Sequence, residues 1–178
     1  MSRIAEIVKD LDAQRDRFLE ALDAVDPELL TAPGLVESWS ARDLVVHVAF
    51  WCEHGTSALA LASSGRGDEF SYDQADTDRM NAELTAATAS VTPDEARQRE
   101  ELAFSVFRAA ISAFEPALLD VRLGNGDTVA EVIAYDGAEH YEEHAAQLRA
   151  WFDPSEADDE VDEPALGRPS GPPDRRSP

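Results

Sequence analysis

The chain has 178 residues, 43% of them hydrophobic, enough to bury a core without disulfides. Its single cysteine, Cys52, excludes an intramolecular bridge and fits a reducing compartment. The formal net charge of -22 repels phosphate backbones and anionic headgroups, so neither nucleic acid nor a membrane surface is expected as a partner. The opening residues, Met1 to Glu6, lack the apolar segment of a secretory signal. No run reaches the roughly 18 uncharged apolar residues of a membrane span. A cytoplasmic location is therefore expected.

The apolar periodicity predicts an all-α domain of four long helices. Ile4, Ile7, Leu11, Phe18, Leu22 and Val25 recur at three- and four-residue spacing and form one stripe. Pro27, Pro33 and Gly34 break the chain before Trp39. Ser40 then caps a second helix, with Asp43 at its third position. That helix carries Leu44, His47, Val48, Trp51 and Ala58 on one face and fades near Ser63–Gly67. A short helix is predicted over Asp76–Ala87. Thr92-Pro93-Asp94-Glu95 starts the third long helix, which is expected to turn Leu102, Val106, Ala109, Ala110 and Ala113 inward. A turn at Leu123–Asp127 precedes a capping box of Thr128 and Glu131. The fourth long helix is predicted to run unbroken to Phe152, before Pro154. Residues 153–178 are acidic and then rich in Pro, Gly, Ser and Arg, which predicts a disordered tail after a domain of residues 1–152.

Two of the four histidines stand in His140-Tyr141-Glu142-Glu143-His144. The i, i+4 spacing puts both rings on one helix face, where they can close on a single metal ion. Solvated histidines on a charged helix are the plainer alternative. His47 lies among apolar neighbours and faces inward, where a histidine ordinarily finds one hydrogen-bond partner. In a bundle, though, metal sites are built from inward side chains on facing helices. Three histidines with open positions describe a catalytic type of site. His54 comes seven residues after His47, about 10.5 Å of helix rise, too far to share one ion; it lines the pocket or stands half-exposed. Cys52 points elsewhere. Asp43 and Asp136 each precede one of these histidines by a turn, placed to accept its second N–H or simply to cap and balance charge. Trp51 is a further pocket candidate. Glu143 is either a base for a metal-bound water or a solvated carboxylate. Arg42, Arg79, Arg108 and Arg149 either meet an anionic substrate or make surface ion pairs.

The segments Trp39-Ser40-Ala41-Arg42-Asp43-Leu44-Val45-Val46-His47-Val48-Ala49-Phe50-Trp51 and His140-Tyr141-Glu142-Glu143-His144-Ala145-Ala146-Gln147-Leu148-Arg149-Ala150-Trp151 resemble the second- and last-helix signatures of the DinB-like superfamily. The likeness spans about residues 1–152. It is nearest to the ClbS/DfsB four-helix proteins, with the N-terminal domains of mycothiol-dependent maleylpyruvate isomerases as further relatives. It implies a four-helix bundle with one long crossover and a divalent metal, zinc or nickel, on His47, His140 and His144. It also implies a small-molecule substrate and chemistry that uses a low-molecular-weight thiol such as mycothiol, in a transferase, an isomerase or a hydrolase. The isomerase relatives carry a second domain that is replaced here by the tail. Two other readings stay open: a ClbS-like protein that disarms or sequesters a reactive small molecule, and a non-catalytic, stress-linked bundle that forms a homodimer.

Overall fold

Four capping boxes set where helices begin. Ser40 with Asp43, Asp73 with Asp76, Thr92 with Glu95, and Thr128 with Glu131 each satisfy two backbone or side-chain donors reciprocally. The computed structural model describes residues 2–152. Its helices are α1 (Arg3–Asp23), α2 (Ala41–Ser63), α3 (Gln74–Ala87), α4 (Pro93–Ser112), α5 (Val129–Ile133) and α6 (Glu139–Phe152). A π-helical turn, Ala134–Ala138, joins α5 to α6. The expected tail, 153–178, lies outside the described residues.

Cross-helix pairs fix the directions. Asp12, Arg15 and Asp23 of α1 bind Arg108, Glu100 and Arg97 of α4, so those two helices are antiparallel. Glu53 of α2 pairs with Arg99, while Arg42, nearer the start of α2, donates to the carbonyls of Ala89 and Val91 just before α4. Helices α2 and α4 therefore run parallel. A parallel pair needs a long return connection, and residues 64–92, with α3 inside them, supply it. Phe18 meets Tyr141 edge-on, and Arg149 donates to the Arg17 carbonyl, so α1 lies beside α6. The bundle is all-α, as the periodicity predicts, with the one long crossover that the resemblance implies.

The core is built from Leu11, Phe18 and Leu22 of α1, Leu44, Val45, Val48 and Ala58 of α2, Phe104, Phe107 and Ile111 of α4, and Tyr141, Ala145 and Leu148 of α6. Two expectations need correcting. On α4 the inward face is Ala103, Phe104, Phe107 and Ile111, and Leu102 is 67% and Val106 48% exposed. An apolar pattern on a helix has two neighbouring registers; here the two phenylalanines, which bury the larger area, decide between them. The last helix is also not continuous, because the π turn interrupts it.

Helix α2 is long and apolar enough to cross a membrane by length and composition, contrary to the expectation that no segment comes near this. Most of its residues are buried inside the bundle instead, which accounts for the apolar composition.

A polar chain crosses this core. Arg15 of α1 makes a bidentate bond to Glu100 of α4 at 2.8 and 2.9 Å. The Tyr141 hydroxyl of α6 donates to the same carboxylate at 2.6 Å, and Cys52 of α2 sits 3.5 Å from that hydroxyl. Three long helices thus meet at the Glu100 carboxylate, and α2 joins the chain through the Tyr141 hydroxyl. Nothing in the spacing of these four residues announces it.

Candidate metal centre

His47 of α2 and His140 and His144 of α6 converge between the two helices, all buried. Their ring centroids are 4.7–5.0 Å apart. One nitrogen from each lies within 4.8 Å of the others, a spacing that suits donors around one ion. The sequence-predicted trio is therefore brought together, although its members stand up to 97 residues apart.

Each α6 imidazole is held by its outer nitrogen. His140 Nδ1 is 3.0 Å from the Tyr135 carbonyl, an acceptor only, so this nitrogen carries the proton and Nε2 presents a lone pair. His144 Nδ1 donates to Gln147 Oε1 at 2.7 Å, and Gln147 Nε2 donates onward to Glu143 at 3.2 Å. Nε2 of His144 is buried with no hydrogen-bond partner. Nε2 of His47 lies 2.7 Å from Nε2 of His140. With His140 presenting a lone pair, that contact needs a proton on His47, which a cation would displace. The preset tautomers of His140 and His144 and the orphaned inward Nε2 of His144 fit a divalent ion, while His47 Nδ1 is also buried without a hydrogen-bond partner, so nothing presets that ring. Burial, then the neighbouring histidines, holds His47 and His140 well below the usual imidazole range. Burial also lowers His144, against the pull of Gln147. The rings are thus neutral, the form that coordinates metal.

The π turn explains part of this geometry. In it the Glu139 N–H reaches five residues back to the Ala134 carbonyl. The Tyr135 carbonyl beside it receives the His140 side chain. Single π turns of this kind are frequent at functional sites. The sequence offers no clear signal for it beyond Gly137.

The other predicted residues divide. Trp51 packs against the cluster, 6.1 Å from His47 and 5.8 Å from His140 between ring centroids. Asp43 belongs to the Ser40 capping box and to Arg42, not to His47. Asp136 does not hold His140 either. It accepts from His54 Nδ1 at 2.8 Å, because the π turn swings it toward α2. His54 lies among Phe50, Trp51, Phe70 and Tyr72 and shares no atom with the trio. Glu143 accepts from Gln147 and so backs the His144 imidazole. Cys52 is fully buried, and burial pushes its thiol up to about 12. It is no nucleophile at neutral pH. Arg79 and Arg108 make surface ion pairs, Arg42 is a mostly buried arginine tied to Asp43 and to the Ala89 and Val91 carbonyls, and Arg149 donates to the Arg17 carbonyl. Three contributors were missed, the Tyr135 carbonyl among them. Gln147 was visible as a partner three residues after His144. Trp39, 4.7 Å from His47, depends on a turn in which its own backbone binds Gly34, Leu35 and Val36.

A four-helix bundle with one long crossover and three buried histidines between its second and last helices defines the class. The chain belongs to the DinB superfamily, whose family pattern matches residues 10–148. No curated protein matches the sequence. Similar solved structures include the colibactin self-resistance protein ClbS in complex with double-stranded DNA. It has 17% identity and a TM-score of 0.72, over 86% of this chain and 97% of that one. The sibling lethal factor precursor DfsB has 15% identity and a TM-score of 0.71, over 90% and 99%. A mycothiol-dependent maleylpyruvate isomerase has 19% identity and a TM-score of 0.66, over 83% of this chain but 61% of its own. At these identities the likeness is one of fold.

Proposed function

We propose that the chain is a divalent-metal-dependent enzyme acting on a small molecule, with His47, His140 and His144 holding zinc or nickel. The observation that carries this reading is the converging trio, in which the two α6 imidazoles have their outer nitrogens committed to Tyr135 and Gln147. An ion held by three neutral imidazoles keeps its full charge, which lowers the pKa of a bound thiol or water and polarises a carbonyl. The chain's own residues do the rest. Tyr135, Gln147 and Glu143 orient the donors, and Trp39 and Trp51 wall the cluster with rings that exclude water. A low-molecular-weight thiol such as mycothiol is the proposed co-substrate, by analogy with the isomerase.

Metal content of untagged protein tests the reading. We expect one ion per chain after incubation with zinc or nickel, lost in His144→Ala and kept in His54→Ala. No uptake by the wild type would sink it. Turnover of an electrophilic dye with each of several small thiols then separates a thiol-dependent enzyme from a protein that only binds. The second outcome favours the ClbS-like reading, in which a reactive small molecule is sequestered; the likeness of the fold to that self-resistance protein supports it.

A further inference from the structure

One pair of buried polar groups is left over by the metal centre. His54 Nδ1 donates to Asp136 Oδ2 at 2.8 Å, and the Asp136 carboxylate is 1% exposed. The pair occupies the same helix interface as the trio. His54 is two turns beyond His47 on α2, and Asp136 one turn before His140, so the pair and the trio form adjacent layers about 10 Å apart along α2. The approach of the two backbones here depends on Gly55, where a Cβ would come within 3.2 Å of the Asp136 Cβ.

The two layers differ in access to solvent. The trio is the more deeply buried, with no member more than 6% exposed. The His54 side chain keeps 13% of its surface exposed. With Nδ1 committed to Asp136, its Nε2 is the basic nitrogen. Trp51 bridges the layers, its ring 4.8 Å from His54 and 5.8 Å from His140. Both the Trp51 Nε1 and the second Asp136 oxygen are buried without a hydrogen-bond partner. Buried polar atoms stay in that condition where water or a ligand completes them. The other ionisable group against His54 is Tyr72, whose hydroxyl is engaged with Tyr135.

We propose that His54, oriented by Asp136, is the proton carrier of the three-histidine centre: it takes the proton that a thiol or water sheds on binding there and delivers it to solvent. This rests on the metal-dependent reading above. The proton leaves the ligand's S–H or O–H bond, protonates His54 Nε2 to an imidazolium paired with Asp136, and passes to buffer, so charge and atoms balance. The trio's inward nitrogens cannot serve, since their lone pairs are the proposed donors to the ion. Because about 10 Å separates the layers, the proton reaches His54 through bridging water rather than by direct contact, and Asp136 is a positioning residue.

The test uses cobalt-loaded full-length protein mixed with 2-mercaptoethanol in weak buffer, followed by a pH indicator and by the cobalt absorbance in stopped flow. His54→Gln should slow proton release by at least about tenfold while leaving the final cobalt spectrum unchanged, and added imidazole should restore the rate. Asp136→Asn should slow release severalfold and shift the His54 ring nitrogen resonances away from the Nδ1–H tautomer in metal-free protein. Unaltered release rates in both variants, with normal spectra, would overturn the proposal and leave the metal reading standing. A wild type that takes up no cobalt, or whose spectrum ignores the thiol, would overturn the metal reading and this inference with it.

Discussion

His144 shows how much a single side chain depends on its outer partner. Gln147 accepts its Nδ1 proton, and Glu143 anchors Gln147, so three residues on one turn and a half of α6 decide which nitrogen faces the cluster. Outer partners of this kind carry about 10–100-fold in metal affinity. Gln147→Leu should lose that much in competition with a chromophoric chelator; unchanged affinity would show that Gln147 does not orient the ring. Asp136 supplies the pH dependence. Burial, against the pull of His54, pushes its carboxyl up to about 6. The unfolded chain ionises near 3.9, so between these values the folded state holds a proton the unfolded state has lost. The stability Asp136 contributes is therefore full below about 4 and is lost as pH rises through about 6. Asp136→Asn should gain on the wild type by something on the order of 3 kcal/mol between pH 4 and 7, read from urea midpoints. A constant difference across that range would contradict the assignment.

At the scale of elements, Gly55 sets how closely α2 approaches both α4 and the π turn. A Cβ at Gly55 would fall 2.8 Å from two atoms of the Phe107 ring, which is fully buried. Gly55→Ala gains helix propensity of about 1 kcal/mol. The overpacking costs about 1–3 kcal/mol, so the variant should be less stable on balance. It should also part Asp136 from His54, visible as a changed His54 ring resonance; a variant more stable than wild type would refute the packing argument. The starts of α2, α4 and α5 were legible because capping boxes are local: Ser40, Thr92 and Thr128 sit three residues from their acids. The inward face of α4 was not, because Leu102 and Val106 follow the same spacing as Phe104, Phe107 and Ile111. Only the volume available between α1 and α2 chooses between the two.

For the whole molecule, charge is the dominant property. A net charge of -22 opposes binding to a polyanion. ClbS, a protein of the same fold, has been seen with double-stranded DNA. This chain should give no mobility shift with a duplex of 30 base pairs at 150 mM salt and micromolar protein. A shift that weakens steeply with salt would show a basic surface that the composition conceals. The long crossover also acts at this scale. It lets α2 and α4 run parallel, which frees α2 to face α6 across the histidines.

The sequence by itself determined the helical class, most helix starts and the identity of the converging trio. Periodicity, capping and i, i+4 spacing are local properties, and the likeness of two segments to one family linked the remote His47 to the pair on α6. Only the tertiary structure decided what surrounds those histidines. Whether Asp136 serves His140 or His54 depends on a π turn, and the meeting of Arg15, Tyr141 and Cys52 around Glu100 depends on four helices docking at once. Such outcomes follow from the packing of distant segments, and no spacing along the chain records them.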